Sequence, residues 1–244
     1  LSSMENHALT YIGHLPISNI TPSDMMTVLS KIWVDKPDTA KKIRQRLRAV
    51  IKWARAQGHF TGDDPVEIAE AALPKVKNKA NHFKSAPFAN IPAIFRQVEQ
   101  SSLFPSTKLA VQFLIVTACR TTEVREATWK EIDLEQKLWC IPAERMKTGS
   151  PHNVPLSIKA LDILKKAEEL QTDNDLIFPS PVNNAALSSN ALLHALQKRL
   201  KIDATIHGMR SSFKDWTSET TNYSNEVSEM ALAHIVSNKV EGAY

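Results

Sequence analysis

The 244-residue chain is 43% hydrophobic and carries a formal net charge of +4, with an isoelectric point near 9.0. No apolar run approaches the roughly 18 residues of a membrane span, and the first residues lack the basic and apolar segments of a secretory signal. Cys119 and Cys140 form neither a metal-ligand spacing nor a disulfide framework. These features predict a soluble protein of the cytoplasm with no membrane partner. The start at Leu1 favours a fragment of a longer protein.

The first third of the chain predicts a small helical bundle. Thr21 followed by Pro22 is typical of a helix start, and a second helix is expected from Asp38 to Gly58. The stretch DDPVEIAEAAL begins a third helix in the same way. A few short helices of this kind form a module of about 70 residues. We assign residues 1–78 to this module.

The second of these helices has a uniformly basic polar face. Its apolar residues recur at helical spacing, and the segment between Lys41 and Arg55 contains seven lysines and arginines but no acid. An ordinary solvated face is the alternative, but such faces usually include acids for i to i+4 pairs. The pattern therefore favours contact with a polyanion. The candidate polyanion-binding residues of this helix are Lys41, Lys42, Arg44, Arg46, Arg48, Lys52 and Arg55.

A linker is expected after the basic module. The stretch from Leu73 to Pro92 contains three prolines and four lysines and has little periodicity. We place the linker proper at residues 79–90. Its cations could follow a phosphate backbone, and an ordinary charged linker is an equal alternative. The candidate DNA contacts here are Lys75, Lys77 and Lys79.

Residues 91–244 predict a second domain that is mostly helical with a small antiparallel sheet. Apolar runs at Leu138–Ile141 and Val154–Leu156 flank a turn-rich segment, which indicates a hairpin or small meander with Lys147 on its rim. Helices are expected at about 158–170, 189–200, 208–219 and 226–233. The sequence contains no glycine-rich phosphate loop, no zinc-type histidine motif and no serine-nucleophile motif. We therefore expect no metal and no cofactor.

Isolated cations in the second domain point to a functional site. Arg120 directly follows the apolar segment LAVQFLIVTAC. A charged side chain beside a core segment is costly unless another group stabilises it. Pairing with Glu123 at a helix end is the alternative for Arg120 alone. His207 and Arg210 are three residues apart, so on a helix they share a face. Taken alone, this His207–Arg210 pair could also be two exposed surface side chains without a functional role.

Taken in order, six residues of this domain resemble the signature of the tyrosine recombinases, or integrase family. They are Arg120, Lys147, His207, Arg210, His234 and Tyr244. The surrounding words, among them RTTEVREATWKEIDLEQ, HGMRSSFKDWTSE and LAH followed by KVEGAY, resemble prophage and genomic-island integrases of proteobacteria. The resemblance covers nearly the whole chain. It implies a SAM-like core-binding domain followed by the tyrosine recombinase catalytic fold, here without the helix that follows the tyrosine in relatives.

Two positions depart from the family pattern. Ala118 stands where many relatives have glycine, an exchange that we expect to be harmless. Tyr244 follows His234 by ten residues rather than nine, a spacing that the island-type integrases share. Tyr223 precedes His234 and is interpreted as structural.

The resemblance assigns a role to each residue of the signature. Tyr244 would be the nucleophile, Arg120 and Arg210 would hold the phosphate, and Lys147 would protonate the leaving 5′ oxygen. His207 would exchange a proton with the tyrosine, and His234 would donate a hydrogen bond to the phosphate. The implied partners are double-stranded DNA attachment sites, a homotetramer on DNA, and excision or host DNA-bending factors. The implied location is the bacterial nucleoid.

Other functions remain open at this point. A type IB topoisomerase uses a similar site to relax supercoils, and a catalytically silent DNA-binding factor would bind DNA without forming an adduct. An RNA-binding role is disfavoured because no aromatic platform motif is visible.

Overall fold

The computed structural model describes residues 2–76 and 84–234. Lys77, Lys79 and Tyr244 lie outside the described residues. The chain divides into two compact units, residues 1–81 and 82–244. The predicted bounds of the core-binding domain, linker and catalytic domain stay predictions. Within the described ranges, no helix has both the length and the apolar character of a membrane-spanning segment.

The first unit is a small helical bundle. An N-terminal helical segment is built from α1, a π-helical turn at Glu5–Leu9, and α2, and a 3-10 turn at Ile17–Asn19 leads into the three longer helices. Their buried faces meet in one hydrophobic core that includes Val28, Ile43 and Val66. The helix bounds are α1 Ser2–Met4, α2 Thr10–Ile12, α3 Pro22–Trp33, α4 Pro37–Ala56 and α5 Pro65–Ala72.

The starts of these helices follow local sequence rules. The Thr21 hydroxyl accepts from the Asp24 backbone at 3.3 Å, and the Asp24 carboxylate accepts the Thr21 N–H at 2.9 Å, which closes a capping box ahead of Pro22. Helix α4 begins one residue earlier than predicted. Pro37 occupies its first turn because the fixed proline φ suits that position, and Asp38 lies inside the helix rather than at its cap.

The second unit surrounds a buried central helix, α7. Helix α7 is covered on all sides, and Phe113 contacts Trp139 and Phe178 at ring-centroid distances of 5.2 and 5.5 Å. The helices of this unit are α6 Ile91–Gln100, α7 Pro105–Thr117, α8 Thr121–Arg125, α9 Ile158–Glu168, α10 Ala191–His194, α11 Ile206–Thr220 and α12 Asn225–Ala231. The predicted helix at 189–200 is split, since a π-helical segment at Ala195–Arg199 follows α10.

A three-stranded antiparallel sheet packs beside α7. Of the two predicted arrangements, a hairpin or a small meander, the meander is therefore correct. The strands run in the order β1 Ile132–Asp133, β2 Leu138–Ile141 and β3 His152–Pro155. Ile141 pairs with His152, so the turn that carries Lys147 is the connection between β2 and β3. The mainly helical fold with a small antiparallel sheet is thereby confirmed.

The segment before α6 packs against α11. The Lys84 carbonyl accepts the Thr205 N–H at 2.8 Å, the Ala86 carbonyl accepts from the Ser212 hydroxyl, and Ala86 is buried. Although residues 84–90 fall in the predicted linker, this part of the chain forms contacts with the second unit. These contacts pass directly over Gly208, next to His207.

We predict that Gly208→Ala destabilises the second unit. A Cβ at this position would lie 2.1 Å from the Lys84 carbonyl oxygen and 2.8 Å from the Ser85 Cα, so backbone must move. The expected loss in the free energy of unfolding is about 1–3 kcal/mol. Chemical denaturation should detect it, with Ser211→Ala as the control on the same helix. Equal stability of the two variants would contradict the packing argument.

Candidate active site

Arg120 is held by an acid at the start of α8. Helix α7 ends at Ala118, whose backbone is left-handed with φ 51°, and this turn leads the chain out of the core through the buried Cys119. The Arg120 backbone N–H donates to one oxygen of Glu123 at 2.6 Å, and its guanidinium donates to the other at 2.8 Å. Glu123 is only 2% exposed. The helix-end pair considered as an alternative is therefore present, and it fixes the arginine within the site.

Arg210 is the most buried cation of the site. It lies on α11 with 4% of its surface exposed, and its two terminal nitrogens donate to the carbonyls of Ala118 and Leu232. Burial first, and then the neighbouring Arg120, lower the pKa of Arg210. A guanidinium nevertheless stays charged at neutral pH because its ordinary pKa exceeds about 12. Its Nε is buried without a hydrogen-bond partner among the described residues.

Two consecutive carbonyls at the end of α12 accept hydrogen bonds from the two arginines. Arg210 donates to Leu232, and Arg120 donates to Ala233 at 3.1 Å. The last carbonyls of a helix have no partner within it and carry its negative dipole end, so cations are favoured there. The end of α12 thus brings the two arginines together.

His234 lies immediately after these carbonyls. Its Nδ1 is 2.6 Å from a carboxylate oxygen of Glu229, and its Nε2 is 3.3 Å from a terminal nitrogen of Arg210. Lys214 contacts the same carboxylate at 2.7 Å. The hydrogen bond from Lys214, followed by that from His234, lowers the pKa of Glu229, so its carboxylate is charged at neutral pH. Glu229 therefore fixes the orientation of the His234 ring.

His207 and Lys147 are exposed members of the same cluster. Burial first, and then the charges of Arg210, Arg120, His234 and Lys147, lower the pKa of His207 below 6.5. The imidazole is therefore neutral at neutral pH and can accept a proton. Lys147 lies close enough to contribute to this effect.

The cysteine beside Arg120 is excluded as a nucleophile. Burial and the nearby Glu123 carboxylate raise the pKa of Cys119 to about 12, so its thiol stays protonated. In the described residues, no group of three histidine, cysteine, aspartate or glutamate side chains could hold a metal ion. Tyr223, interpreted from sequence as structural, is 67% exposed in the loop between α11 and α12 and packs into no core.

The structure changes the interpretation of the basic helix α4. Arg44 pairs with Glu70, and Arg48 lies 3.4 Å from Asp64, 3.1 Å from Glu67 and 4.0 Å from Glu70. The acids that the Lys41–Arg55 segment lacks are supplied by α5 and by its N-cap residue, Asp64. Part of the uniformly basic face expected from the sequence is therefore neutralised.

The remaining described candidates of the first unit are exposed. Arg46 also donates to the Ser3 hydroxyl at 3.0 Å. The exposed candidates for DNA contact are Lys41, Lys42, Arg46, Lys52, Arg55 and Lys75. Their contact with DNA stays a prediction.

The structure brings together five of the six residues of the predicted signature. Arg120, Arg210 and His234 are joined directly by hydrogen bonds or through adjacent carbonyls, and His207 and Lys147 are electrostatic neighbours. Glu229 could not be identified as a site residue from the sequence. No motif marks Glu229, because its contact with His234 depends on the tight turn through Ala233, at φ 49°.

Comparison with known proteins agrees with this arrangement. The family model for the phage integrase family matches residues 86–241, and that for the phage integrase central domain matches residues 1–71. The chain belongs to the phage integrase family. It is 32% identical to the prophage integrase IntZ of Escherichia coli K12 over 235 residues, which are 96% of this chain and 58% of that protein. The chain spans a little under three fifths of the length of these curated relatives.

Solved integrase structures share the fold. A lambda integrase fragment, crystallised as a dimer bound to a COC′ core site, aligns with a TM-score of 0.69 at 21% identity and covers 96% of this chain and 86% of that one. A lambda integrase tetramer bound to a Holliday junction aligns with a TM-score of 0.67 at 22% identity, covering 91% and 66%. At these identities the similarity establishes the fold alone. The roles of individual residues in this chain have to be argued from its own geometry.

We predict that position 118 tolerates glycine but not valine. Ala118→Gly should change the free energy of unfolding by less than about 1 kcal/mol, because relief of left-handed strain offsets a lost methyl contact and added chain entropy. Ala118→Val should cost more than about 2 kcal/mol because a β-branched residue resists positive φ. Urea denaturation of the two variants measures this difference. Equal stabilities would show that the φ of 51° at Ala118 does not determine which residues this position tolerates.

Proposed function

We propose that this integrase forms the core-binding and catalytic part of a site-specific DNA recombinase, which integrates or excises a prophage or genomic island. The observation that carries the proposal is the pair of arginines fixed on the end of α12, with two histidines and a lysine around them. Such a cluster suits one phosphodiester group. It supplies rigid forked donors and proton-exchanging groups without a metal.

The first chemical step would be attack by the Tyr244 hydroxyl oxygen on the scissile phosphorus. His207 is suited to accept the phenolic proton, because its lowered pKa keeps its ring neutral at neutral pH. The phosphorus–5′-oxygen bond then breaks, and Lys147 donates the proton that the leaving oxygen needs. The products are a 3′-phosphotyrosyl bond and a free 5′-hydroxyl.

The two arginines would mainly stabilise the pentacovalent state of the phosphorus. Each guanidinium carries five N–H donors, and the bonds of Arg120 to Glu123 and Ala233 use only some of them. The remaining donors can stabilise the non-bridging oxygens as negative charge grows. His234, oriented by Glu229, would add a donor beside Arg210.

Rejoining follows by the reverse chemistry with another strand. The phosphotyrosyl bond conserves the energy of the phosphodiester, so a 5′-hydroxyl from a second duplex can attack it and release Tyr244. Lambda integrase has been crystallised as a tetramer on a Holliday junction. We therefore propose the same assembly, on two attachment sites, for the protein to which this chain belongs. Excision and DNA-bending factors would set its direction.

The test of this proposal is covalent trapping. The full-length protein and its Tyr244→Phe variant are incubated with nicked duplexes carrying the ends of the source element, without metal, and resolved on a denaturing gel. We expect a slower protein–DNA band that requires Tyr244, and peptide mass mapping should place the nucleotide on that residue. A strand-exchange product between two duplexes would distinguish a recombinase from a topoisomerase. Tight binding without any adduct would instead favour a silent DNA-binding factor.

A second prediction concerns the basic helix. Lys52→Ala should weaken DNA binding and reduce the slope of log K against log salt by about 1, since one phosphate contact is lost. Arg48→Ala is the matched control, because Arg48 lies one turn earlier on α4 but among three carboxylates. We expect its salt slope to stay near that of the unsubstituted protein. Fluorescence anisotropy over a salt series measures both, and equal slope changes would contradict the assignment.

A further inference from the structure

Lys214 ties α11 to α12 beside the site. It lies on α11 four residues after Arg210, so the two side chains share one face of that helix. Its ammonium donates to the Asn225 side chain and to the Ser228 hydroxyl, and it pairs with Glu229 at 2.7 Å. All three partners lie on α12. A lysine ammonium has three N–H donors, so each of them is engaged by that helix.

Glu229 connects this tie to His234. One oxygen of its carboxylate contacts Lys214, and the other lies 2.6 Å from Nδ1 of His234. The His234 backbone N–H also donates to the Glu229 carbonyl at 3.0 Å. Because a charged carboxylate can only accept, Nδ1 carries the proton of this contact. The nitrogen that remains for the site is Nε2, which lies 3.3 Å from a terminal nitrogen of Arg210.

The contact between Glu229 and His234 is partly open to water. The Glu229 side chain is 25% exposed and that of His234 is 43% exposed. A single ionic contact at such exposure holds its geometry weakly, because side-chain entropy and water compete with it. Lys214 fixes the second oxygen of the same carboxylate, and it is itself held by the buried Ser228. The series therefore runs from a buried anchor to the exposed ring.

We propose that Lys214 is a positioning residue, which acts through Glu229 to keep Nε2 of His234 turned toward the two arginines. This inference rests on the proposed function of the site. The Lys214 ammonium is occupied by α12, so its contribution belongs to the rate of cleavage rather than to DNA affinity.

The experiment is a double-mutant cycle on the rate of adduct formation. Full-length protein at saturating concentration is mixed with nicked duplexes carrying the ends of the source element. Lys214→Met removes the ammonium but keeps an unbranched side chain, and it should slow adduct formation roughly tenfold or more, as expected for a misplaced catalytic group. In a His234→Ala background the same substitution should change the rate by less than about twofold, because the ring that it positions is gone. A lysine with a merely structural role would slow both backgrounds by the same factor.

A second measurement observes the ring without DNA. Nitrogen-15 spectra of the histidines, recorded at alkaline pH where imidazoles are neutral, show which ring nitrogen carries the proton. The spectrum of His234→Ala identifies the signals of that ring. We expect the Nδ1–H form in the unsubstituted protein and a mixture of both forms in Lys214→Met. Lys214→Arg keeps N–H donors, so it should retain the Nδ1–H form and recover part of the rate.

Control variants separate this role from general effects of charge and stability. Asn225→Ala removes one partner of Lys214 but leaves its contact with Glu229, so it should cleave at nearly the normal rate. Lys165→Met removes a positive charge from an exposed position on α9 and should leave the rate and the duplex affinity unchanged. Circular dichroism checks the fold of each variant. If Lys214→Met is unfolded, Glu229→Gln replaces it in the same cycle.

Each outcome decides the inference. A normal rate for Lys214→Met, or an equal loss in both backgrounds, would overturn it and leave the proposed function intact. An unchanged Nδ1–H form in Lys214→Met would overturn Glu229 as the route of the effect. No adduct from the unsubstituted protein would overturn the proposed function, and this inference with it, even where the spectra show the expected form of the ring.

Discussion

The C-terminal carbonyls of α12 are the constraint on which the site depends. A helix end leaves carbonyls without internal partners, and here two consecutive ones accept from Arg120 and Arg210. These two donors come from separate places in the chain, since Arg120 precedes α8 and Arg210 lies on α11. The bonds therefore give a set of distant residues one common reference point. His234 follows directly, so its place is set by the same turn.

Carboxylates hold the basic residues in place without cancelling the charge of the site. Glu123 binds the Arg120 guanidinium and also accepts the Arg120 backbone N–H at the start of its own helix. Glu229 binds the His234 ring and also pairs with Lys214 of α11. Arg210 differs, because among the described residues its guanidinium hydrogen-bonds carbonyls and a histidine rather than an acid. The deepest cation thus keeps its full charge while its geometry is fixed by neutral groups. This arrangement preserves attraction for an anion that arrives from outside.

The sequence predicts well what depends on local rules and poorly what depends on a turn. The capping box at Thr21, the meander around Lys147 and the facing pair His207 and Arg210 follow from spacing alone. The partners of Arg48 could not be read from α4, because its acids come from α5 across the bundle. The residues of the signature itself were found through resemblance, which supplied the order that single motifs could not.

The cluster is electrostatically incomplete in the DNA-free state. Arg120 lowers the pKa of Arg210, which means that the two guanidiniums repel one another, and the same cations disfavour protonation of His207. A phosphodiester placed between the arginines would replace this repulsion with two attractions in a poorly solvated setting, where charge interactions are strong. The additional negative charge of a pentacovalent phosphorus strengthens those attractions further. The fold therefore holds like charges close together, and under the proposed function the transition state would gain most from their proximity.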